Sequence, residues 1–169
     1  MQQMKRLIII LISVALSVSA SAQSKVRTVY DETIDPVEQI NDAVKKAEKD
    51  DKFVICQVGG NWCRWCLLFA DFISNDSEIS SFIKKNFEYI HVNYNPRERG
   101  DKAKSAKTDA MLKSLGSPER FGFPVFVVLD GNGKVVHIQD SSFLEEGNGY
   151  NKDKVMRFFS NWTPEAVNN

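Results

Sequence analysis

The sequence predicts an α/β fold in which a mixed central sheet carries helices on both faces. Short apolar runs rich in β-branched and aromatic residues, typical of buried strands, alternate along the chain with segments of helical period. The last two strand patterns flank Asp130-Gly-Asn-Gly133, which predicts a hairpin and so an antiparallel pair within the sheet. A chain of 169 residues with 43% apolar content is long enough for one domain with a substantial core.

Residues 1–22 have the three parts of a secretory signal peptide. A basic segment at residues 1–6 precedes the uncharged apolar run of twelve at residues 7–18, and Ala20-Ser-Ala22 is a small-residue cleavage site. Twelve helical residues span about 18 Å, whereas the hydrocarbon core of a bilayer is about 30 Å thick. We therefore expect cleavage before Gln23, no stable membrane insertion afterwards, and a periplasmic or secreted protein in an oxidising compartment.

The charge of the mature chain is nearly balanced. Removing Lys5 and Arg6 from 22 basic and 22 acidic side chains leaves 20 basic and 22 acidic, a net charge of −2. Such a chain has no strong positive field, so we expect no nucleic-acid partner.

The mature chain is predicted to begin with an N-terminal extension, residues 23–34, followed by one α/β domain over residues 35–169. Within the extension, residues 26–30 have the composition of an edge strand. Pro36 begins a helical pattern that ends near Asp50.

The central stretch runs from an apolar strand through a glycine turn into a helix that opens with two cysteines. The strand pattern covers residues 53–58 and stops at Gly59-Gly60. The helix has one apolar face, formed by Trp65, Leu68, Phe69 and Phe72. Asn61 lies just upstream and is the expected N-terminal cap of this helix.

The remaining segments complete the predicted order of elements. A capped helix at residues 77–85 precedes a strand at residues 87–94. The charged run at residues 95–107 has no apolar period and is expected to be a solvent-exposed insertion. The later elements are a helix at 108–115, strands at 121–129 and 134–138, a loop at 147–149, and a final helix bearing Val155, Phe158, Phe159 and Trp162.

Cys63 and Cys66 form a Cys-x-x-Cys pair at the start of a helix. Residues three apart on a helix share a face, so the two sulfurs lie within bonding reach. Unpaired backbone N–H groups and the helix dipole favour the thiolate of Cys63, which makes Cys63 the nucleophile and Cys66, one turn deeper, the shielded resolving thiol. A permanent structural disulfide is the alternative, although so small a loop constrains the unfolded chain little.

Other uses of a cysteine pair fit the sequence less well. Zinc would need two more ligands, and none has the required spacing. Covalent haem attachment needs a histidine after the second cysteine, where this chain has Leu67. We therefore expect no metal and no bound organic cofactor.

At these residues the sequence resembles the thioredoxin superfamily, whose redox motif here reads Trp62-Cys-Arg-Trp-Cys66. It is more similar to secreted bacterial thioredoxin-like proteins of the thioredoxin-7/DUF255-like type. These combine an alanine- and lysine-rich helix, here residues 41–49, with an Asn-Trp-Cys-x-Trp-Cys pattern and a later Gly122-Phe-Pro124 before a strand. The resemblance spans residues 35–162 and implies a thioredoxin-like fold with a redox-active disulfide, Cys63–Cys66.

The resemblance also implies a substrate-binding surface around the pair. Trp62, Arg64 and Trp65 flank the two cysteines. In thioredoxin-like proteins the proline opening the later strand is cis and faces the cysteines, and this position is Pro124 here. The residue before it, Phe123, then offers backbone hydrogen bonds to a bound peptide.

Gln57, six residues before Cys63, stands where thioredoxins carry a buried aspartate that accepts the proton of the resolving cysteine. An amide cannot act as a base near neutral pH, so we expect slow resolution relative to thioredoxin. Cys56, inside the strand, is expected to be a buried free thiol. His91 and His137 lack partners at ligand spacing and are expected to be ordinary strand residues.

Together these observations predict a thiol-disulfide oxidoreductase, an enzyme acting as a monomer on the thiols and disulfides of other proteins, with an unidentified redox partner. Two alternatives stay open. One is a thioredoxin-fold binding module whose cysteines do not turn over. The other is a disulfide isomerase, which usually needs a dimer or a second domain.

Overall fold

The structure, a computed structural model, describes residues 28–168, apart from the side chains of Glu98 and Arg99. The predicted signal peptide lies outside the described residues, and so does the beginning of the edge strand predicted at residues 26–30. The described end of that segment, residues 28–30, is irregular and not part of a sheet.

Six α-helices, six strands and three 3₁₀ turns succeed one another within residues 28–168. The helices are α1 (Pro36–Lys49), α2 (Arg64–Asn75), α3 (Ser77–Asn86), α4 (Lys102–Ser114), α5 (Lys152–Asn161) and α6 (Pro164–Asn168). The strands are β1 (Phe53–Gly59), β2 (Phe87–Asn93), β3 (Val125–Leu129), β4 (Val135–Asp140), β5 (Glu145–Glu146) and β6 (Gly149–Tyr150). The 3₁₀ turns are Pro96–Gly100, Pro118–Phe121 and Ser141–Leu144.

The central sheet is mixed, as predicted. Its strand order is β2-β1-β3-β4, with β1 parallel to β2 and antiparallel to β3. β3 and β4 form the predicted antiparallel hairpin. The loop predicted at residues 147–149 closes a second, two-stranded sheet of β5 and β6, which are too short for their pattern to be detected in the sequence.

Helices cover both faces of the sheet because β1 is buried along its whole length. Alternate residues of β1 point to opposite faces. Phe53 and Ile55 contact one core, which is shared with α2, α3 and α5. Val54, Cys56 and Val58 contact the other core, which is shared with α1 and α4. Gln57 has the parity of the first set, so its polar side chain lies under α2.

Side-chain caps determine where several helices begin. Asp35 accepts hydrogen bonds from Val37 N and Glu38 N at the start of α1, next to a proline in the first turn. Asp101 caps α4 in the same way, so α4 begins at Lys102 and not at residue 108. The helix predicted at residues 108–115 therefore begins six residues earlier than expected, whereas the predicted solvent exposure of residues 95–107 is confirmed for most of the described side chains. The first half of α4 is solvent-exposed, and an exposed helical turn has no apolar period for sequence reasoning to detect.

Replacing Phe69 with alanine is expected to lower the free energy of unfolding by about 3–5 kcal/mol, the usual cost of truncating a buried phenylalanine. The Phe69 ring is fully buried and its centroid lies 4.4 Å from that of Phe126 and 4.7 Å from that of Tyr150. Chemical denaturation measures the change. Phe143→Ala is the matched control, because that side chain is 72% exposed and its removal should change stability by less than about 0.5 kcal/mol. Equal effects of the two changes would contradict this packing.

Candidate active site

Cys63 stands at the junction of β1 and α2. The chain turns after β1, and Cys63 N donates to Gly60 O at 3.0 Å. Cys63 is itself the N-cap of α2, since its Sγ accepts a hydrogen bond from Cys66 N at 3.2 Å. The cap predicted at Asn61 was therefore wrong, because the Asn61 side chain is engaged elsewhere.

Cys63 and Cys66 are joined in a disulfide, with their Cα atoms 5.2 Å apart. Cys66 is fully buried, whereas Cys63 is 7% exposed and so is the more accessible of the two. After reduction, the free N–H groups at the start of α2 would favour the thiolate of Cys63. The more accessible sulfur is thus also the one that the helix favours as a thiolate.

Asn61 holds the N-terminal segment, residues 28–32, next to the cysteine pair through four hydrogen bonds. Its Oδ1 accepts hydrogen bonds from Val29 N at 2.9 Å and Tyr30 N at 3.0 Å. Its Nδ2 donates to Tyr30 O at 2.8 Å and to Glu32 Oε1 at 3.0 Å. The Tyr30 side chain is fully buried and packs against the disulfide. Sequence reasoning missed Tyr30, because the polar segment around it has no period that indicates burial.

Gln57 is fully buried directly beneath the start of α2. Its Nε2 donates to Cys66 O at 3.0 Å and to Tyr30 Oη at 2.7 Å, and its Oε1 accepts from Tyr89 Oη at 2.6 Å. Burial raises the pKa of both tyrosine hydroxyls well above the usual value, so both keep their protons. The amide thus joins the resolving cysteine to two neutral hydroxyl groups.

An aromatic wall, formed by Trp62, Tyr94 and Phe123, lies beside the disulfide. The rings of Phe123 and Tyr94 are stacked at 4.9 Å, and the Trp62 ring meets Phe123 edge-on at 5.5 Å. Trp62 Nε1 donates to Tyr94 O at 2.7 Å, which fixes the indole, and Phe123 packs against the cysteines. The Phe123–Pro124 bond is cis, as the resemblance implied. Trp62 is 45% exposed, so the wall presents apolar surface to solvent next to Cys63.

Sequence reasoning did not assign Tyr94 to the site. Tyr94 follows directly after β2 and is buried in the second core. The backbone of Gly60, in the turn after β1, approaches the aromatic wall closely. A Cβ at Gly60 would collide with the Trp62 ring and with Tyr94 O, so this position accommodates only glycine.

The other residues singled out in the sequence have different surroundings. Arg64 is exposed in the first turn of α2. The Trp65 ring meets Tyr150 edge-on at 5.6 Å, and Tyr150 Oη donates to Trp65 O at 3.2 Å. Cys56 is a free, fully buried thiol on the opposite face of β1, and burial raises its pKa to about 12. Cys56 therefore stays a thiol near neutral pH, as predicted for a structural residue.

Both histidines are packed among aromatic rings on strands. His91, on β2, meets the rings of Tyr30 and Tyr89 edge-on at 5.3 and 5.4 Å. His137, on β4, is stacked on Trp162 at 4.0 Å, and burial lowers its pKa. In the part of the chain that the structure describes, no three His, Cys, Asp or Glu side chains are grouped so as to hold a metal ion.

A disulfide that joins the cap of a helix to its first turn, on a four-stranded mixed sheet with a cis-proline just before β3, is the arrangement of the thioredoxin-like fold. Residues 16–161 match the family Thioredox_DsbH, whose description is "Protein of unknown function, DUF255". The match covers most of the sequence, and the chain belongs to this family.

Three similar proteins extend this comparison. The "Disulfide bond reductase DsbH" of Chlamydia pneumoniae is 28% identical over 104 residues, which is 57% of this chain and 57% of that protein. A solved structure of a disulphide isomerase from Xylella fastidiosa Temecula1 has a TM-score of 0.65 at 22% identity, covering 79% of this chain and 95% of that one. A solved DsbH oxidoreductase has a TM-score of 0.50 at 21% identity, covering 71% and 78%. At these identities the two solved structures show the fold alone.

We expect iodoacetamide to alkylate Cys63 of the reduced protein before Cys66, because Cys63 has the helix N-terminus and the greater exposure. The labelling rate of Cys63 should rise with pH as its thiolate fraction rises. Peptide mass spectrometry after timed labelling measures each site separately. Cys56 is the internal control, since it should react only after unfolding. Faster alkylation of Cys66 would reverse the two roles.

Proposed function

We propose that this protein is an extracytoplasmic thiol-disulfide oxidoreductase that exchanges disulfides with the cysteines of other proteins. The observation that carries the proposal is the asymmetry of the pair. Cys63 is 7% exposed and lies next to the exposed Trp62, whereas Cys66 is fully buried. A purely structural role is poorly supported, because cysteines three positions apart restrict the unfolded chain little.

The proposed reaction proceeds through a mixed disulfide. The Cys63 thiolate attacks one sulfur of a substrate disulfide, and the other substrate sulfur leaves as a thiolate and takes up a proton. Cys66 then loses its proton to water and attacks Cys63 Sγ, so the bond from Cys63 to the substrate breaks and its electron pair goes to the substrate sulfur. The substrate gains two electrons and two protons, and the Cys63–Cys66 disulfide forms. A dithiol partner that reduces this disulfide closes the cycle.

Polypeptide substrates fit the surroundings of Cys63 better than small thiols do. The aromatic wall supplies apolar contact area, and Phe121, 40% exposed, lies just before it in the chain. The cis bond before Pro124 places the Phe123 backbone at the start of β3, the position from which thioredoxin-like proteins bind peptides. We propose Trp62, Phe123 and Pro124 as the main substrate contacts, with Arg64 and Trp65 at the margin.

The proposed compartment rests on the sequence of residues 1–22, which has the three parts of a signal peptide. In the described residues, 28–168, no helix is both long and apolar enough to cross a membrane. An oxidising compartment would supply disulfides as substrates. We propose that the mature chain acts there as a monomer, with its own cysteine pair as the only redox group.

For the direction of electron flow we propose reduction of the substrate, which is the activity in the name of the Chlamydia pneumoniae relative. A binding module with the same fold would hold a polypeptide without turning over its cysteines. A disulfide isomerase would reshuffle disulfides with no net change in their number. A reductase consumes substrate disulfides, whereas the binding module and the isomerase leave their number unchanged.

The wild-type protein is expected to accelerate reduction of insulin by dithiothreitol, and Cys63→Ser is expected to abolish the acceleration because no nucleophilic sulfur remains. Turbidity of the precipitating insulin chain measures the rate. Cys56→Ser is the matched control and should keep the wild-type rate, since Cys56 is buried on the opposite face of the sheet. A wild-type rate equal to that of Cys63→Ser would favour the binding module.

Trp62→Ala is expected to raise KM for insulin about fivefold or more, because truncating an aromatic contact at a binding surface typically costs that much affinity. Reaction of the reduced protein with a small aromatic disulfide should change less than about twofold, since that reagent needs only the sulfur. Stopped-flow kinetics with both substrates measure the difference. Phe143→Ala removes another exposed aromatic ring and should leave both rates unchanged. Equal slowing toward both substrates would mean that Trp62 acts on Cys63 and not on the substrate.

A further inference from the structure

We propose that the Tyr30 hydroxyl donates a hydrogen bond to the Cys66 sulfur when that sulfur becomes a thiolate, and so stabilises the attacking group in the resolving step. The inference rests on the proposed function, because only a cysteine that turns over must become a thiolate. Gln57 cannot accept the Cys66 proton as a carboxylate would, so the inference concerns only how the thiolate is stabilised once that proton has left to water.

The hydrogen bonds of Gln57 determine which way the hydroxyl proton of Tyr30 points. A backbone carbonyl can only accept, so the Gln57 atom 3.0 Å from Cys66 O is the NH₂ group. The same NH₂ group lies 2.7 Å from Tyr30 Oη and donates to it. Gln57 Oε1 must then accept from the Tyr89 hydroxyl, at 2.6 Å. The hydrogen bonds of this series therefore point from Tyr89 through Gln57 to Tyr30. The O–H hydrogen of Tyr30 is not used in them and remains available for another acceptor.

The Cys66 sulfur belongs to the same buried cluster as Tyr30. A Cβ built on Gly59 would stand 2.5 Å from Cys66 Sγ and 2.9 Å from Tyr30 Oη, so the sulfur and the oxygen border the same small space. Glycine at the end of β1 keeps that space open. In the disulfide form, in which the sulfur is neutral, Tyr30 Oη accepts from Gln57 Nε2 and donates to no residue within 28–168.

A buried thiolate needs such a donor. Cys66 is fully buried, and burial disfavours the charged form of a thiol unless hydrogen bonds compensate. Tyr30 keeps its proton, because burial raises its pKa well above the usual value, so it acts as a donor and not as a base. The Cys66 proton leaves to water, Cys66 attacks Cys63 Sγ, and the Tyr30 O–H bond stays intact throughout.

Other titratable groups near the sulfur do not replace this contact. Cys63 shares the cluster with Cys66 and Tyr30. His91, on β2, and Tyr150, packed against Trp65 of α2, each lie one ring further away. Tyr89 contacts the amide and offers a comparison, because its hydroxyl belongs to the same network but donates to Gln57 and not toward the sulfur.

The test is the titration of Cys66 in the reduced protein, followed by the ¹³Cβ chemical shift of labelled cysteine. Tyr30→Phe is expected to raise the pKa of Cys66 by about one to two units, the effect of losing one hydrogen bond to a charged group. Resolution of the mixed disulfide at pH 7 should slow by about 3- to 10-fold, less than the loss of thiolate alone implies, because a thiolate of higher pKa is more nucleophilic. Circular dichroism checks that the variant is folded.

Tyr89→Phe is the matched control, since it removes the other hydroxyl from the same amide. If Tyr30 only holds the network in shape, both variants should move the pKa of Cys66 alike, and that result would overturn the proposal. So would an unchanged pKa in Tyr30→Phe. If the Tyr30→Phe variant does not fold, the proposal is tested on the wild-type protein instead. The ¹³Cζ shift of Tyr30 should follow the titration of Cys66, and a flat Tyr30 signal through that titration would also overturn the proposal.

The titration needs no substrate, so it separates this inference from the proposed function. If the wild-type protein fails to reduce insulin but the pKa shift is present, the Tyr30–Cys66 contact is supported and the proposed activity is contradicted. If insulin is reduced normally but no pKa shift is seen, the contact is contradicted and the proposed activity is supported.

Discussion

One buried amide links the parts of the chain that form the site. Gln57 lies in the middle of β1, and its side chain bonds α2 through Cys66 O, the N-terminal segment through Tyr30 and β2 through Tyr89. A buried polar group without a partner costs about 1–3 kcal/mol, so these groups are stable in the core only together. The position of Cys66 therefore depends on hydrogen bonds that also hold the N-terminal segment and β2. A substitution at Gln57 would remove bonds to all three elements.

The buried groups beneath Cys66 carry no charge. Beneath Cys66 lie an amide and hydroxyl groups that keep their protons, so the charge of a thiolate must be balanced by dipoles: the N–H groups of α2 for Cys63 and a hydroxyl for Cys66. Such groups stabilise a negative sulfur without exchanging protons with it. β1 holds these groups in a fixed geometry, because all seven of its residues are buried between two layers of helices.

Much of the fold and part of the site follow from local patterns in the sequence. Strand and helix periods, together with the Asp130-Gly-Asn-Gly133 turn, predicted the mixed sheet, the hairpin and the helices on both faces. The spacing of Cys63 and Cys66 predicted the disulfide. The resemblance to thioredoxin-like proteins added the cis bond before Pro124. These features depend on residues within one turn, one strand or one motif, which is the range over which sequence reasoning is informative.

Tertiary structure alone decided which distant residues complete the site. Tyr30 meets Gln57 across 27 positions in the sequence, and Asn61 holds the backbone of Tyr30 across 31. Trp62 bonds the carbonyl of Tyr94 across 32. No periodicity links such pairs, because their contacts depend on how strands and segments are placed in space. The sequence by itself determined the two sulfurs and the sheet that carries them, and packing determined the Tyr30 hydroxyl, the place of the Tyr94 ring and the hydrogen bonds that Gln57 makes.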